Sequence, residues 1–434
     1  MKLRSIFIFG IIFLLSVPVI AEGRTCWKKS DNNPVLNRGP NGNWDDYHVL
    51  HPAVLRGPAG YQMWYTGHDG STYRQGHATW DGFSQEWDKL GKVGGPVLSF
   101  GPPGAWDDNY LYGCSVLHEA GIYHMWYTGY DGTYYRIGYA TSTDGVAWEK
   151  YDCNGGPVLP LGASGEWDDR HVYAPSVLYD GTTFHMWYSG SDGSHWRIGY
   201  ATSTDGVVWD KHNGNGGPVL DLGASGEWDD YYVRTPCVLS TASGYEMWYT
   251  GYDGSNYRIG YAESSDGHTW TKSYENPVLG LGAGGTWDDV RVYSPSVYRD
   301  PQGRAHMWYA GYDGSYYRIG YATADLWVEF EPQAEIITLP ATGGVINYSV
   351  ELGNYSTSGK NGNFWVDLVY PDNSRELLHQ IGGTAGTCEV LNFSYSDFIP
   401  SNYADGTYTL EANIGSYPNP MMTDTMTFIK SSCD

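Results

Sequence analysis

Basic residues are scarce in this chain. Its 434 residues carry 25 lysines and arginines against 49 acidic side chains, a formal net charge of -24, and no Lys/Arg cluster stands out. A nucleic-acid partner requires a basic surface to neutralise phosphates, so this composition excludes one, and anionic membrane surfaces with it. Long apolar runs are also missing after the first twenty or so residues, and no later segment has the length and apolarity of a membrane-spanning helix. The six cysteines include no C-x-x-C spacing of the kind that holds zinc or runs disulfide exchange, and no cofactor or metal is assigned from the sequence.

The one long apolar run reads as a signal peptide over residues 1–21. Lys2 and Arg4 precede Ile6 to Ile20, and Val19-Ile20-Ala21 supplies a cleavage site, so the mature chain is expected to begin near Glu22. Cys26 follows Gly-Arg-Thr, which lacks the small apolar approach of a lipid-modified cysteine. The expected location is therefore secreted or extracellular, with the periplasm as the alternative. Cys388 and Cys433 are the first candidates for a disulfide, whereas Cys114 and Cys237 stand where sister copies of a repeat carry Pro or Ser and are equally well read as buried free thiols.

What the chain has in abundance is glycine, tyrosine and tryptophan, at 58, 39 and 19 residues, arranged in a repeat. G-x-W-D-D, P-S-V-L, M-W-Y-x-G-x-D-G-S, R-I-G-Y-A-T-S-x-D-G and P-V-L, with small variations, follow one another in five copies, the last of which breaks off after Asp325. The copies start at Trp44, Trp106, Trp167, Trp228 and Trp287, at spacings of 62, 61, 61 and 59 residues. In the third copy Val172 to Leu178, Phe184 to Ser189, Trp196 to Ser203 and Val207 to Lys211 are strand candidates. Asp-Gly turns between them supply the positive φ that hairpins demand. A four-stranded meander repeated at this period predicts the blades of a β-propeller. The fifth copy lacks its fourth strand, and Trp27 to Leu36 matches Trp270 to Leu279, the fourth strand and exit of copy four. The N-terminus is thus expected to complete the last blade, close the ring, remove its exposed edges and set the count at five.

In such a blade W-D-D and the D-G-S turn lie at one end and S-x-D-G-x-x-W at the other, so a site near the axis should open on the first face. The repeated carboxylate pairs, from Asp45-Asp46 to Asp288-Asp289, are candidates for general acid and base or for calcium ligands. The alternative is that they cap their loops and pair with the repeated arginines Arg74, Arg136, Arg197, Arg258 and Arg318. More informative are the positions where copies differ, because packing repeats with the fold and a ligand does not. The inner strand carries His48 and Leu50, Tyr110 and Tyr112, His171 and Tyr173, Tyr232 and Arg234, and Arg291 and Tyr293. Within each pair the spacing of two places both residues on one strand face. Aromatic rings with polar tips suit sugar recognition, so an oligo- or polysaccharide is the expected partner. Tyr73, Tyr135, Trp196, Tyr257 and Tyr317, after the D-G-S turn, would widen that surface. Oligomeric state is not legible.

After Trp327 the period ends. Glu331-Pro332 reads as a linker, and alternating segments such as Val345 to Leu352, Phe364 to Tyr370 and Thr407 to Ile414 suggest an immunoglobulin-like sandwich over 328–434.

These motifs resemble the five-bladed propellers of glycoside hydrolase families 43, 32, 68 and 130, over residues 26–327. S-x-D-G-x-x-W resembles the Asp box of sialidase-type propellers, a structural motif facing away from the site. The tail, with Gly406-Thr-Tyr-Thr409, resembles the bacterial immunoglobulin-like domains attached to such propellers. The resemblance implies an all-β fold and a glycosidase-like activity. In family 43 a catalytic Asp directly precedes an inner-strand Pro and a Glu stands two residues before one. Here those positions hold His51, Ala174, Thr235 and Ser294, and Leu50, Tyr173, Arg234 and Tyr293, with Gly113 and Tyr112 in copy two. Two readings therefore stand: a glycoside hydrolase drawing its acid and base from W-D-D loops, with Asp168 and Asp229 as placeholders, or a non-catalytic glycan-binding or scaffold protein.

Overall fold

Each copy of the repeat forms a four-stranded antiparallel unit in the computed structural model of the protein. It describes residues 27–431 except 58–59, 82–86, 91–94, 152–155, 213–216, 275, 302–303, 325, 333–336, 341, 355–359, 386–388 and 417–418. The signal peptide, Cys26 and the Cys388–Cys433 pairing lie outside the described residues.

In the third unit the strands are His171–Tyr179, Phe184–Ser191, Trp196–Ser203 and Asp210–Lys211, paired in that order. The last is shorter than predicted because the preceding side chains capture the backbone. Asp205 accepts the amides of Val207 and Val208 at 2.8 Å each, and Ser203 accepts that of Gly206 at 2.8 Å, so 204–208 is a turn. Gly206 there has φ 76°. Its carbonyl accepts the indole N–H of Trp209 in its own unit and of Trp126 in the preceding one.

The fifth unit has Arg291–Arg299, Ala305–Tyr312 and Tyr317–Ala324, and Lys28–Lys29 takes the fourth place, with Lys28 opposite Thr323 and Lys29 opposite Ala322. Leu36 then bridges Ile319 as Leu98, Leu159, Leu220 and Leu279 bridge the matching residues of the other units. First strands of neighbouring units are linked through side chains. Val177, Val238 and Val297 donate their amides to Ser115, Ser176 and Cys237 of the preceding unit, and Val54 of the first unit donates to Ser296 of the fifth at 3.0 Å. Cys237 therefore does the work of a serine as a free thiol, and Cys114 is free and buried.

The M-W-Y residues form the core between units, Met186, Trp187 and Tyr188 being fully buried like their counterparts. Burying one aromatic side chain removes about 150–250 Å² from water, worth about 4–6 kcal/mol at ~25 cal/mol/Å², so this row dominates the packing. The W-D-D tryptophan lies over two glycines of its own unit. A Cβ on Gly190 would sit 2.3 Å from the Trp167 ring, which is why M-W-Y-x-G keeps its glycine.

Beyond the repeat, Leu326–Pro332 is a strand paired with Gly343–Asn354, so Glu331-Pro332 is not a linker. The alternating run continues the ladder because its proline occupies the last position of an edge strand, where no amide is needed. With Glu389–Pro400 these strands make a three-stranded sheet. A five-stranded sheet orders Ile337–Pro340, Asn419–Ser431, Gly406–Ser416, Lys360–Val369 and Arg375–Ala385. The two share a core in which Tyr348 and Val350 meet Phe364, Val366, Leu410 and Phe428. No helix of the described residues is long and apolar enough to cross a membrane.

Candidate functional site

The first strands surround a cavity of about 230 Å³ that lies at the W-D-D end of the repeat units. Leu50, Tyr112, Tyr173, Arg234 and Tyr293 line it, one from each first strand, and Tyr73, Tyr135, Trp196, Tyr257 and Tyr317 line it from the start of each third strand. Arg291 and His51 complete the wall. Of the residues predicted from differences between copies, Tyr112, Tyr173, Arg234, Arg291 and Tyr293 are thus brought together. His48, Tyr110, His171 and Tyr232 are not in this wall. They share the strand face as the spacing of two required, but stand two residues nearer the strand start, where the histidines bond across to a neighbouring unit and the tyrosines stack within their own. His48 accepts the amide of Tyr317 and His171 that of Tyr135, while Tyr110 and Tyr232 stack on Tyr130 and Tyr252.

The W-D-D carboxylates are placed elsewhere. Asp168, fully buried, accepts Tyr188 Oη at 2.9 Å and Lys211 Nζ at 2.6 Å, and Asp229 accepts Tyr249 Oη at 3.0 Å and Lys272 Nζ at 2.7 Å. Neither reaches the cavity wall, which corrects their candidacy as acid and base. The same pattern holds for Asp45, Asp107 and Asp288 with Lys89, Lys150 and Lys29. The second carboxylate of each pair caps its own loop, as Asp169 accepts the amide of Gly165. The partner predicted for these carboxylates was also wrong. The repeated arginines bind the turn aspartates instead, with Arg136 Nη1 2.8 Å from Asp131 and Arg318 Nη1 2.9 Å from Asp313. Each such arginine is the second residue of a third strand, five residues after its turn aspartate, and so folds back over the hairpin, whereas the fourth-strand lysine reaches the W-D-D loop.

His51 was legible only as the residue occupying a carboxylate position. It lies at φ 51°, with Ala174, Thr235 and Ser294 at φ 47°, 49° and 54°, in the register break of each first strand. Left-handed backbone at residues with a Cβ is strained, and such strain clusters at functional sites. Its Nδ1 lies 2.7 Å from Ser294 Oγ and its Nε2 2.6 Å from Tyr173 Oη. Burial, helped by the charge of Arg234, lowers its pKa to about 3. The imidazole is therefore neutral, with one nitrogen donating and the other accepting. Burial likewise raises the phenols, Tyr73 to about 12 and Tyr112, Tyr135, Tyr173, Tyr293 and Tyr317 in the same direction. None of these six is poised to ionise near neutral pH. Glu246, which replaces a histidine of three other copies, binds Tyr261 and Arg299 away from the cavity. Among the described residues no cluster of three His, Cys, Asp or Glu is arranged to hold a metal ion.

No family model matches the chain. It is 31% identical over 243 residues to the uncharacterized protein MT1551 of Mycobacterium tuberculosis, covering 53% of this chain and 76% of that one. A glycosyl hydrolase from Bacteroides ovatus shares the fold at a TM-score of 0.56 and 17% identity, covering 69% of this chain and 93% of that one. A member of the GH130 family of mannoside phosphorylases, which contains glycoside hydrolases that target β-1,2 mannosidic linkages in Candida mannan, does so at 0.55 and 18%, covering 71% and 95%. The solved structures that share this fold are glycoside hydrolase-like propeller proteins.

Proposed function

The protein belongs to the family of the mycobacterial protein MT1551, and we propose that it is an exported protein that binds a saccharide in its axial cavity without hydrolysing it. In this reading residues 26–327 are a five-bladed propeller closed by the N-terminal strand, and the two C-terminal sheets are an immunoglobulin-like sandwich. One observation carries the reading: the cavity wall contains tyrosines, a tryptophan, a leucine, a neutral histidine and two arginines, and no carboxylate. Glycoside hydrolysis ordinarily needs two carboxyl groups about 5–9.5 Å apart across the scissile bond, or a tyrosine nucleophile in its place. The first are absent from the wall, and the six wall phenols whose pKa values burial raises are poor nucleophiles. The glycoside hydrolase-like alternative rests on likeness of fold, and fold hosts many functions.

The rings lining the cavity favour a sugar, whose apolar face stacks while its hydroxyls bond tyrosine hydroxyls. The test is a panel of plant and microbial glycans, read both for binding and for release of reducing ends. Binding with no new reducing ends is expected. Time-dependent release by the purified protein would overturn the non-catalytic reading.

A further inference from the structure

At one position of the first strands a single unit places a charge in the cavity. Where the other first strands place Leu50, Tyr112, Tyr173 and Tyr293, the fourth unit places Arg234. Its guanidinium lies 4.9 Å from the Tyr257 ring and 5.9 Å from that of Tyr232, its Nε is buried without a hydrogen-bond partner, and the groups that bear on its charge are Tyr257, Tyr173, Tyr293 and Tyr317. Arg291 in the same wall donates to Tyr317 Oη at 2.6 Å. Among the described residues no carboxylate forms an ion pair with either arginine. The repeat arginines behave otherwise: Arg74, Arg136, Arg197, Arg258 and Arg318 each have an aspartate.

A cation withdrawn from water is costly unless an anion meets it, and aromatic faces supply only part of that compensation. This protein is strongly acidic overall, yet it keeps two arginines and no acid around its central cavity. A neutral sugar would offer hydroxyl acceptors to Arg234 but no charge to balance the guanidinium. A carboxylate matches the guanidinium edge with two parallel hydrogen bonds.

We propose that the axial cavity selects an acidic saccharide, with the carboxylate of a uronic acid residue on Arg234 and its ring against the surrounding tyrosines and Trp196. A cavity of about 230 Å³ lies below the ~300–1,000 Å³ of sites for larger ligands, which suits one sugar ring rather than a buried polymer. The inference rests on the saccharide-binding reading and adds the charge of the ligand to it.

Calorimetry on the mature chain with digalacturonate, its methyl ester, glucuronate, glucose, and inorganic sulfate and phosphate tests it. The acids are expected to bind at least about tenfold more tightly than the ester and glucose, the scale of a hydrogen bond to a charged group, and added salt is expected to weaken them. Arg234→Gln should abolish this preference. Arg234→Lys, which keeps the charge and loses the fork, should retain part of it, and thermal melts establish that both variants are folded. If either fails to fold, the wild-type contrast between acid and ester decides. Equal affinity for acid and ester, or a preference that survives in folded Arg234→Gln, overturns the acidic-saccharide inference and leaves saccharide binding standing. Sulfate or phosphate bound where no saccharide binds, or no binding by any probe, overturns both.

Discussion

Lys29 and Asp288, 259 residues apart in the chain, meet at 2.6 Å. Asp288 is almost fully buried and its lysine three-quarters so, and the pair repeats the contact that Lys89, Lys150, Lys211 and Lys272 make within their own units. Burial lowers the pKa of Lys29 against the opposing pull of Asp288.

Lys29→Met is therefore expected to destabilise the fold by about 2–3 kcal/mol, below the full cost of breaking a wholly buried pair because the lysine keeps some solvent. Lys89→Met, inside the first unit, should cost a similar amount. Urea unfolding of the two variants measures both. A negligible loss for Lys29→Met beside a clear loss for Lys89→Met would show that the N-terminal strand does not hold the ring.

Asp168→Asn and Asp229→Asn should behave as stability variants. Each leaves a lysine facing a neutral amide, at about 2–4 kcal/mol, while saccharide affinity per folded molecule stays unchanged. Folded Asp168→Asn with wild-type stability and lost affinity would return this carboxylate to the site.

His51 gives the fold a pH dependence. Its pKa is about 3 folded against 6.5 for the free side chain, so below pH 6.5 the unfolded chain takes up a proton that the folded one refuses. Its stabilisation is complete above about pH 6.5 and is lost as the pH falls towards 3, by about 2–3 kcal/mol between pH 6.5 and about 4. His51→Asn tolerates the left-handed backbone and should be less stable at pH 7 but lose less on acidification. Parallel slopes of melting temperature against pH in the two proteins would contradict this.

Trp196 occupies the cavity position that is tyrosine in the other four units. Trp196→Ala is expected to lower saccharide affinity by about tenfold through lost stacking, with Trp196→Tyr retaining most of it. Titration with whichever sugar the wild type binds provides the measurement, and an unchanged affinity in Trp196→Ala would move the ligand elsewhere.

Much of this was legible in local spacing. The 59–62-residue period, the Asp-Gly turns, the M-W-Y strand and the match of Trp27–Leu36 to Trp270–Leu279 depend on neighbours a few residues away, and the repeat states each of them several times. So does the placement of Tyr73, Tyr135, Trp196, Tyr257 and Tyr317 beside the inner strands. Spacing also put His48 and Leu50 on one strand face, and the structure keeps them there.

Three matters were decided only in three dimensions. Lysines rather than arginines reach the W-D-D carboxylates, because the partner depends on which end of the unit a strand finishes at, and both cation types recur at the same period. Leu50 lines the cavity while His48 does not, because His48 accepts the Tyr317 amide of a neighbouring unit, a contact that exists only once the units assemble. Finally, Arg234 without a carboxylate and His51 locked between Ser294 and Tyr173 arise where five first strands converge. Sequence repeats describe one unit at a time, and the chemistry at the axis belongs to all five.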